Sequence, residues 1–118
     1  MALEINQKEV APATVVISLE GNVMRGPEGE RIEVALNGAL AQGLRRIVFD
    51  LTGVKRIDST GIGRFIYCLN KVQESGGKLW MAGAQGYVRD CFRVTRLDTI
   101  FQFCGTVDDA LTQCGAGS

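Results

Sequence analysis

Asp58-Ser59-Thr60-Gly61-Ile62-Gly63 gathers an acid, two hydroxyls and two glycines into six consecutive residues. At the start of a helix, such a run offers side-chain oxygens as caps and leaves backbone N–H groups unpaired. Two kinds of chemistry follow, and the sequence leaves both open. In the structural one, these residues only cap a helix, since Ser, Thr and Asp are the preferred capping types. In the functional one, Ser59 is a modification site. A phosphate there adds about −1.5 to −2 charge, favoured by a helix N-terminus but repelled by Asp58.

Other chemistries fail on residue type or spacing. The chain has no His, so the commonest general base, the serine-triad base and the commonest zinc ligand are all missing. Ser59 as a nucleophile would need Lys55 or Lys78 as its base, and nothing in their placement recommends either. Gly61-Ile62-Gly63 lacks the third glycine of a dinucleotide site and the Gly-Lys-Ser/Thr ending of a P-loop. Asp58-Ser59-Thr60-Gly61 is one residue longer than the aspartic-protease triplet and has no second copy to form a dyad. Cys68, Cys91, Cys104 and Cys114 show no CxxC spacing, so reduced thiols packed as small hydrophobes are expected. The expectation is therefore no catalytic residue, no metal and no cofactor.

The elements that must position the motif read as alternating strands and helices. Residues 3 to 9 and 14 to 19 are strand-like around Ala11-Pro12-Ala13, an opening hairpin. The chain loosens after Gly21, and Pro27 then starts a helix with Glu28 and Glu30 in its first turn and Ile32, Leu36, Ala39 and Leu40 on one face, ending at Gly43. Arg45 to Leu51 carries Ile47-Val48-Phe49, suited to a strand buried on both faces, with a turn at Gly53. Ile62, Phe65, Ile66, Leu69 and Val72 form the clearest helical stripe, which stops at Gly76-Gly77. Lys78 to Ala82 is a further strand, and Val88, Cys91, Phe92 and Thr95 give a short helix. Thr99 to Phe103 is a last strand, and Thr106 caps a final helix bearing Asp108 and Asp109. The order ββαβαβαβα calls for an α/β fold, a mixed sheet with helices packed against it and strand-end loops at one rim. Trp80 is expected to pack. Phe65 and Tyr67 fall on different faces of the motif helix, so that one is free for a partner, and Arg25 and Arg64 are expected to be solvated.

The 118 residues carry 13 Lys+Arg against 13 Asp+Glu, with 46% hydrophobic and 22% charged residues. That describes one globular domain over 1–118, with a core from about 3 to 114 and a frayed tail at 115–118. Balanced charge gives no reason to expect a nucleic-acid partner. The first residues lack a basic segment followed by an apolar core, and no apolar run approaches the ~20 residues that span a bilayer, so no membrane insertion and a cytoplasmic location are expected.

The junction resembles the Asp-Ser-Ser-Gly-Leu-Gly motif of STAS-domain proteins, specifically the stand-alone anti-sigma-factor antagonists of bacteria, with Thr60 for the second Ser and Ile62 for Leu. Phe49-Asp50-Leu51, Gly76-Gly77 before Leu79, Leu97-Asp98 to Phe101-Phe103, and Asp109-Ala110-Leu111 are similar too, so the resemblance spans about residues 14 to 112. It implies a single STAS domain that binds proteins. Ser59 becomes the phosphorylation site of a partner that is both an ATPase-type serine kinase and an anti-sigma factor, and a phosphatase restores the unmodified state. On this resemblance the protein is a kinase substrate rather than an enzyme. Asp58, Thr60, Gly61 and Ile62 line the docking rim by adjacency in the motif, together with Met24, which stands where the family commonly has an acid. Arg96 stands where the family often has Gly. Related STAS proteins serve instead as scaffold subunits of stress-signalling assemblies or as small subunits of lipid-transport ABC complexes, the alternative function.

Overall fold

A computed structural model describes residues 3–114, so the tail predicted at 115–118 lies outside the described residues. The elements run β1 (Glu4–Ala11), β2 (Thr14–Val23), α1 (Pro27–Ala41), β3 (Arg46–Ile57), α2 (Ser59–Glu74), β4 (Lys78–Ala82), α3 (Gly86–Val94), a 3₁₀ turn (Leu97–Thr99), β5 (Gln102–Cys104) and α4 (Val107–Gln113). They form one five-stranded sheet in the order β1-β2-β3-β4-β5, with β1 antiparallel to β2 and the other neighbours parallel. This is the mixed α/β architecture that the alternation of patterns predicts.

The topology places the helices. Parallel crossovers are right-handed, and each new strand here is added on the same side, so α1, α2 and α3 share one sheet face. Ile32, Leu36, Phe65, Leu69, Val88 and Phe92 from these helices pack on Ile17, Ile47, Phe49 and Met81. Val48 and Trp80 point to the opposite face, where Ala110 and Cys114 cover them. Alternation along Ile47-Val48-Phe49 thus fills both layers, which is why β3 reads as an unbroken apolar run. Edge-on aromatic pairs link Phe49 to Phe65 at 5.3 Å and Phe92 to Phe101 at 5.4 Å. The first fastens α2 to β3, and the second ties α3 to the segment that leads into β5.

Two segments differ from the sequence reading. β2 continues past Gly21 to Val23, and β3 runs through Gly53 to Ile57, so neither glycine ends a strand. The two strands stay paired in parallel with register shifts between Ser18 and Glu20 and between Gly21 and Asn22. A Cβ on Gly53 would lie 3.1 Å from the Leu19 carbonyl oxygen and nearer still to the Glu20 side chain. Gly53 therefore permits close approach at a bulge instead of making a turn. At the other end, the predicted strand at Thr99 to Phe103 is a 3₁₀ turn followed by the short β5. Arg96, at φ +62°, ends α3 in a left-handed conformation, and Phe101 turns into the core.

Candidate functional site

β2 and β3 end side by side at Val23 and Ile57, which are register partners, so the loop after β2 and the start of α2 meet at one rim. Asp58 is the residue that caps α2. Its Oδ1 accepts the Gly61 N–H at 2.7 Å, and its Oδ2 accepts the Arg25 N–H at 3.0 Å. One carboxylate thus closes the helix end and pins the Met24–Gly26 loop to it. Burial desolvates the carboxyl and by itself raises its pKa. The N–H donors of Arg25, Gly61 and Thr60, with the Arg25 charge, outweigh that and hold Asp58 below the ordinary carboxylate value.

Because Asp58 fills the cap, Ser59 is left with nothing structural to do. It is the first residue of α2, it is exposed, and its hydroxyl has no hydrogen-bond partner among the described residues. Thr60 beside it is half-buried. Gly61 is buried against the strand ends: a Cβ there would sit 2.9 Å from Ile57 Cγ1 and nearer still to the Val23 carbonyl oxygen. The glycine of the motif is what lets the first turn of α2 touch β2. Ile62 is half-buried against the core and also lines a groove of about 310 Å³ between α2 and α3, with Ser59, Tyr87, Cys91 and Val94 around it.

Met24 borders two further clefts. One, of about 440 Å³, is shared with Lys55, Arg56, Ile57 and Tyr87, and the other, of about 290 Å³, with Asn22, Arg25 and Pro27. The residues singled out from sequence, Met24, Asp58, Ser59, Thr60, Gly61 and Ile62, therefore gather at one rim, with Asp58 and Gly61 building it and Ser59 and Met24 displayed on it. Sequence reasoning missed Tyr87 and Val94, whose exposed positions lie off the stripe of α3 that buries Val88 and Phe92. The signal was available, since Tyr87 and Val94, seven apart and so on one side of α3, are both offset from the side on which Val88, Cys91, Phe92 and Thr95 recur.

Arg64 corrects an expectation. It is not solvated: its side chain is 11% exposed and pairs with Glu33 on α1 at 2.9 Å, while its second terminal nitrogen donates to the Gly26 carbonyl at 3.0 Å. Gly29 makes room for it, since a Cβ there would meet Arg64 Nε at 2.5 Å. Arg64 ties α1, α2 and the rim loop into one body. Phe65 is buried, whereas Tyr67 is half-buried, its hydroxyl accepting from the exposed Asn37 Nδ2 on α1 at 3.1 Å. Trp80 is packed as expected, and Cys68, Cys91, Cys104 and Cys114 are free thiols. Burial pushes the Cys68 thiol up to about 12, with the Glu33 charge adding to the shift. No cluster of three or more His, Cys, Asp or Glu among the described residues could hold a metal ion, and no described helix is long and apolar enough to cross a membrane.

The family model for the STAS domain matches residues 6–110. Among solved structures, the chain is similar to an anti-sigma factor antagonist from Mycobacterium paratuberculosis, with a TM-score of 0.80, 23% identity, and coverage of 99% of this chain and 96% of that one. It is similar to the anti-sigma factor antagonist SpoIIAA in its unphosphorylated form, with a TM-score of 0.74, 18% identity, and coverage of 98% and 100%. It is also similar to the phosphorylated form of the Bacillus cell fate determinant SpoIIAA, with a TM-score of 0.73, 20% identity, and coverage of 94% and 99%.

Proposed function

The chain belongs to the STAS-domain family, and from that premise we propose that it is an anti-sigma-factor antagonist whose partner binding is switched by phosphorylation of Ser59. One observation carries the reading. Ser59 is an exposed hydroxyl at the first position of α2, and the capping duty that would otherwise occupy it belongs to Asp58. A side chain that is presented and structurally unemployed is free to be a substrate.

The partner is an ATPase-type serine kinase that doubles as the anti-sigma factor. It docks on the rim of Met24, Asp58, Thr60, Gly61 and Ile62 and releases its sigma factor. In the transfer step the Ser59 oxygen bonds to the γ-phosphorus of ATP, the bond to the β-phosphate bridging oxygen breaks, ADP leaves, and the hydroxyl proton passes to a base on the kinase. This chain is the substrate and supplies no catalytic group. The product places about −1.5 to −2 charge one residue from Asp58, on a surface that the partner must touch. A phosphatase reverses the step by hydrolysis. The switch operates in the cytoplasm of a bacterium, in transcription control, with no cofactor of its own.

The test is a mass spectrum of the tryptic peptide Ile57 to Arg64, taken from the protein made in its native cells under growth and stress. A phosphate on Ser59 is expected, with Ser59→Ala retaining kinase binding and Ser59→Asp losing it. Constitutive assembly into a larger complex without phosphate would replace this reading with that of a scaffold or transport subunit.

A further inference from the structure

We infer that the surface docking on this rim is acidic and amphipathic: a protein segment whose apolar ridge fills the groove between α2 and α3 while flanking carboxylates meet a cationic border. The inference builds on the proposed function by specifying the partner's chemistry.

The groove supplies the apolar half. Tyr87 is 62% exposed and Val94 is 79% exposed, although both are large hydrophobic residues. Seven residues apart, they lie two turns apart on one side of α3, and with Ile62 and Cys91 they line the groove that Ser59 borders. Solvated singly, such residues need no explanation; an aligned pair in a groove beside the acceptor hydroxyl is a docking feature.

Charge selects the occupant. Arg25, Lys55 and Arg56 are exposed around Met24 and Tyr87, and none forms an ion pair among the described residues. The carboxylates at the groove are Asp58, whose two oxygens hold the Gly61 and Arg25 amides, and Asp90, which is paired with Arg93. Arg25 shares its cleft with Glu28, but the cleft beside the groove, which Met24, Ile57 and Tyr87 line with Lys55 and Arg56, holds no acid among the described residues, so the positive charge is local to Lys55 and Arg56. A surface with this pattern attracts carboxylates and rejects lysine-rich partners. It also explains how one phosphate would act. Adding about −1.5 to −2 charge at Ser59 opposes the two charges of Lys55 and Arg56, so an acidic partner loses its attraction as well as its steric fit.

The test is an amide-shift titration of the intact protein with two synthetic helical peptides of about 20 residues, long enough to hold helical structure. They share one apolar face and differ in carrying Glu or Lys along its flanks. The Glu peptide is expected to move the amides of Lys55, Arg56, Tyr87 and Val94, and the Lys peptide to leave them in place. The double substitution Lys55→Glu and Arg56→Glu, at exposed positions that the fold does not need, should reverse that preference. Ser59→Asp should weaken the Glu peptide by about fivefold or more, the effect of like charge on a rim contact. Equal shifts from both peptides would overturn the inference, and so would shifts centred on Arg46 and Lys78 at the opposite end of the sheet. The outcomes separate the two readings: a Glu preference without phosphate on Ser59 in cells sinks the switch and keeps the surface, whereas phosphate without that preference does the reverse.

Discussion

Gly61 and Gly63 sit two residues apart in one helix, yet replacing each by Ala is expected to change stability in opposite directions. In a helix interior Ala is favoured over Gly by about 0.5–1 kcal/mol, so propensity alone makes both changes stabilising. At Gly63 nothing lies within 4 Å of the added methyl, and the full gain should appear. At Gly61 the methyl would lie 2.9 Å from Ile57 Cγ1 and closer to the Val23 carbonyl oxygen, which belongs to backbone fixed in the sheet. Relief requires α2 to back away from β2 by roughly 1 Å, and overpacking of this kind costs about 1–3 kcal/mol or more. Withdrawal also strains the 2.7 Å bond from Gly61 to Asp58, adding the loss of a cap, about 1 kcal/mol. Against the propensity gain, Gly61→Ala should destabilise by about 2–3 kcal/mol. For a domain of this size that is a drop in Tm of about 8–12 °C, against a rise of about 2–4 °C for Gly63→Ala. Urea titration with unchanged m values would confirm that both variants unfold from the same compact state. Equal stability of the two variants would refute the reasoning, because it would mean that the α2–β2 approach is not tight.

Asp58→Ala should destabilise by about 1–2 kcal/mol through loss of the cap, and the difference from wild type should depend on pH. Because the folded pKa of Asp58 is depressed, its contribution is fully present above the ordinary carboxylate value of about 3.9 and fades as pH falls through the lower folded value. Urea melts at neutral pH and near pH 3 test this, and a gap that stays constant over that range would contradict the hydrogen-bond assignment. At Arg96, where φ is +62°, a side chain in the left-handed region carries about 1–2 kcal/mol of strain that glycine avoids. Arg96→Gly should therefore exceed Arg96→Ala in stability by about 1 kcal/mol, reversing the usual order of these residues. A thermal melt of the pair in which Ala is the more stable would show that the backbone relaxes out of that conformation.

Much of the architecture was legible because its causes are local. Helical periodicity from Ile62 to Val72, the acids after Pro27 and the hydroxyl of Thr106 each act within a few residues, and the observed α2, α1 and α4 follow from them. The limits of β2 and β3 were not legible. A glycine that ends a strand and a glycine that lets two strands crowd together at a bulge have the same local signal, and only the pairing of Glu20 with Gly53 tells them apart. The site divides in the same way. Composition and spacing selected Asp58 to Gly63 as one chemical unit and left Ser59 open as either a cap or a modification site. Tertiary structure decided that Asp58 takes the cap, that the Arg25 amide comes to it from 33 positions away, that Arg64 is withdrawn into an ion pair with Glu33, and that Tyr87 and Val94 complete the groove. The physical reason is distance along the chain: capping and amphipathicity are set by neighbours in sequence, whereas burial, charge pairing and the walls of a groove depend on which remote segments the parallel crossovers bring together.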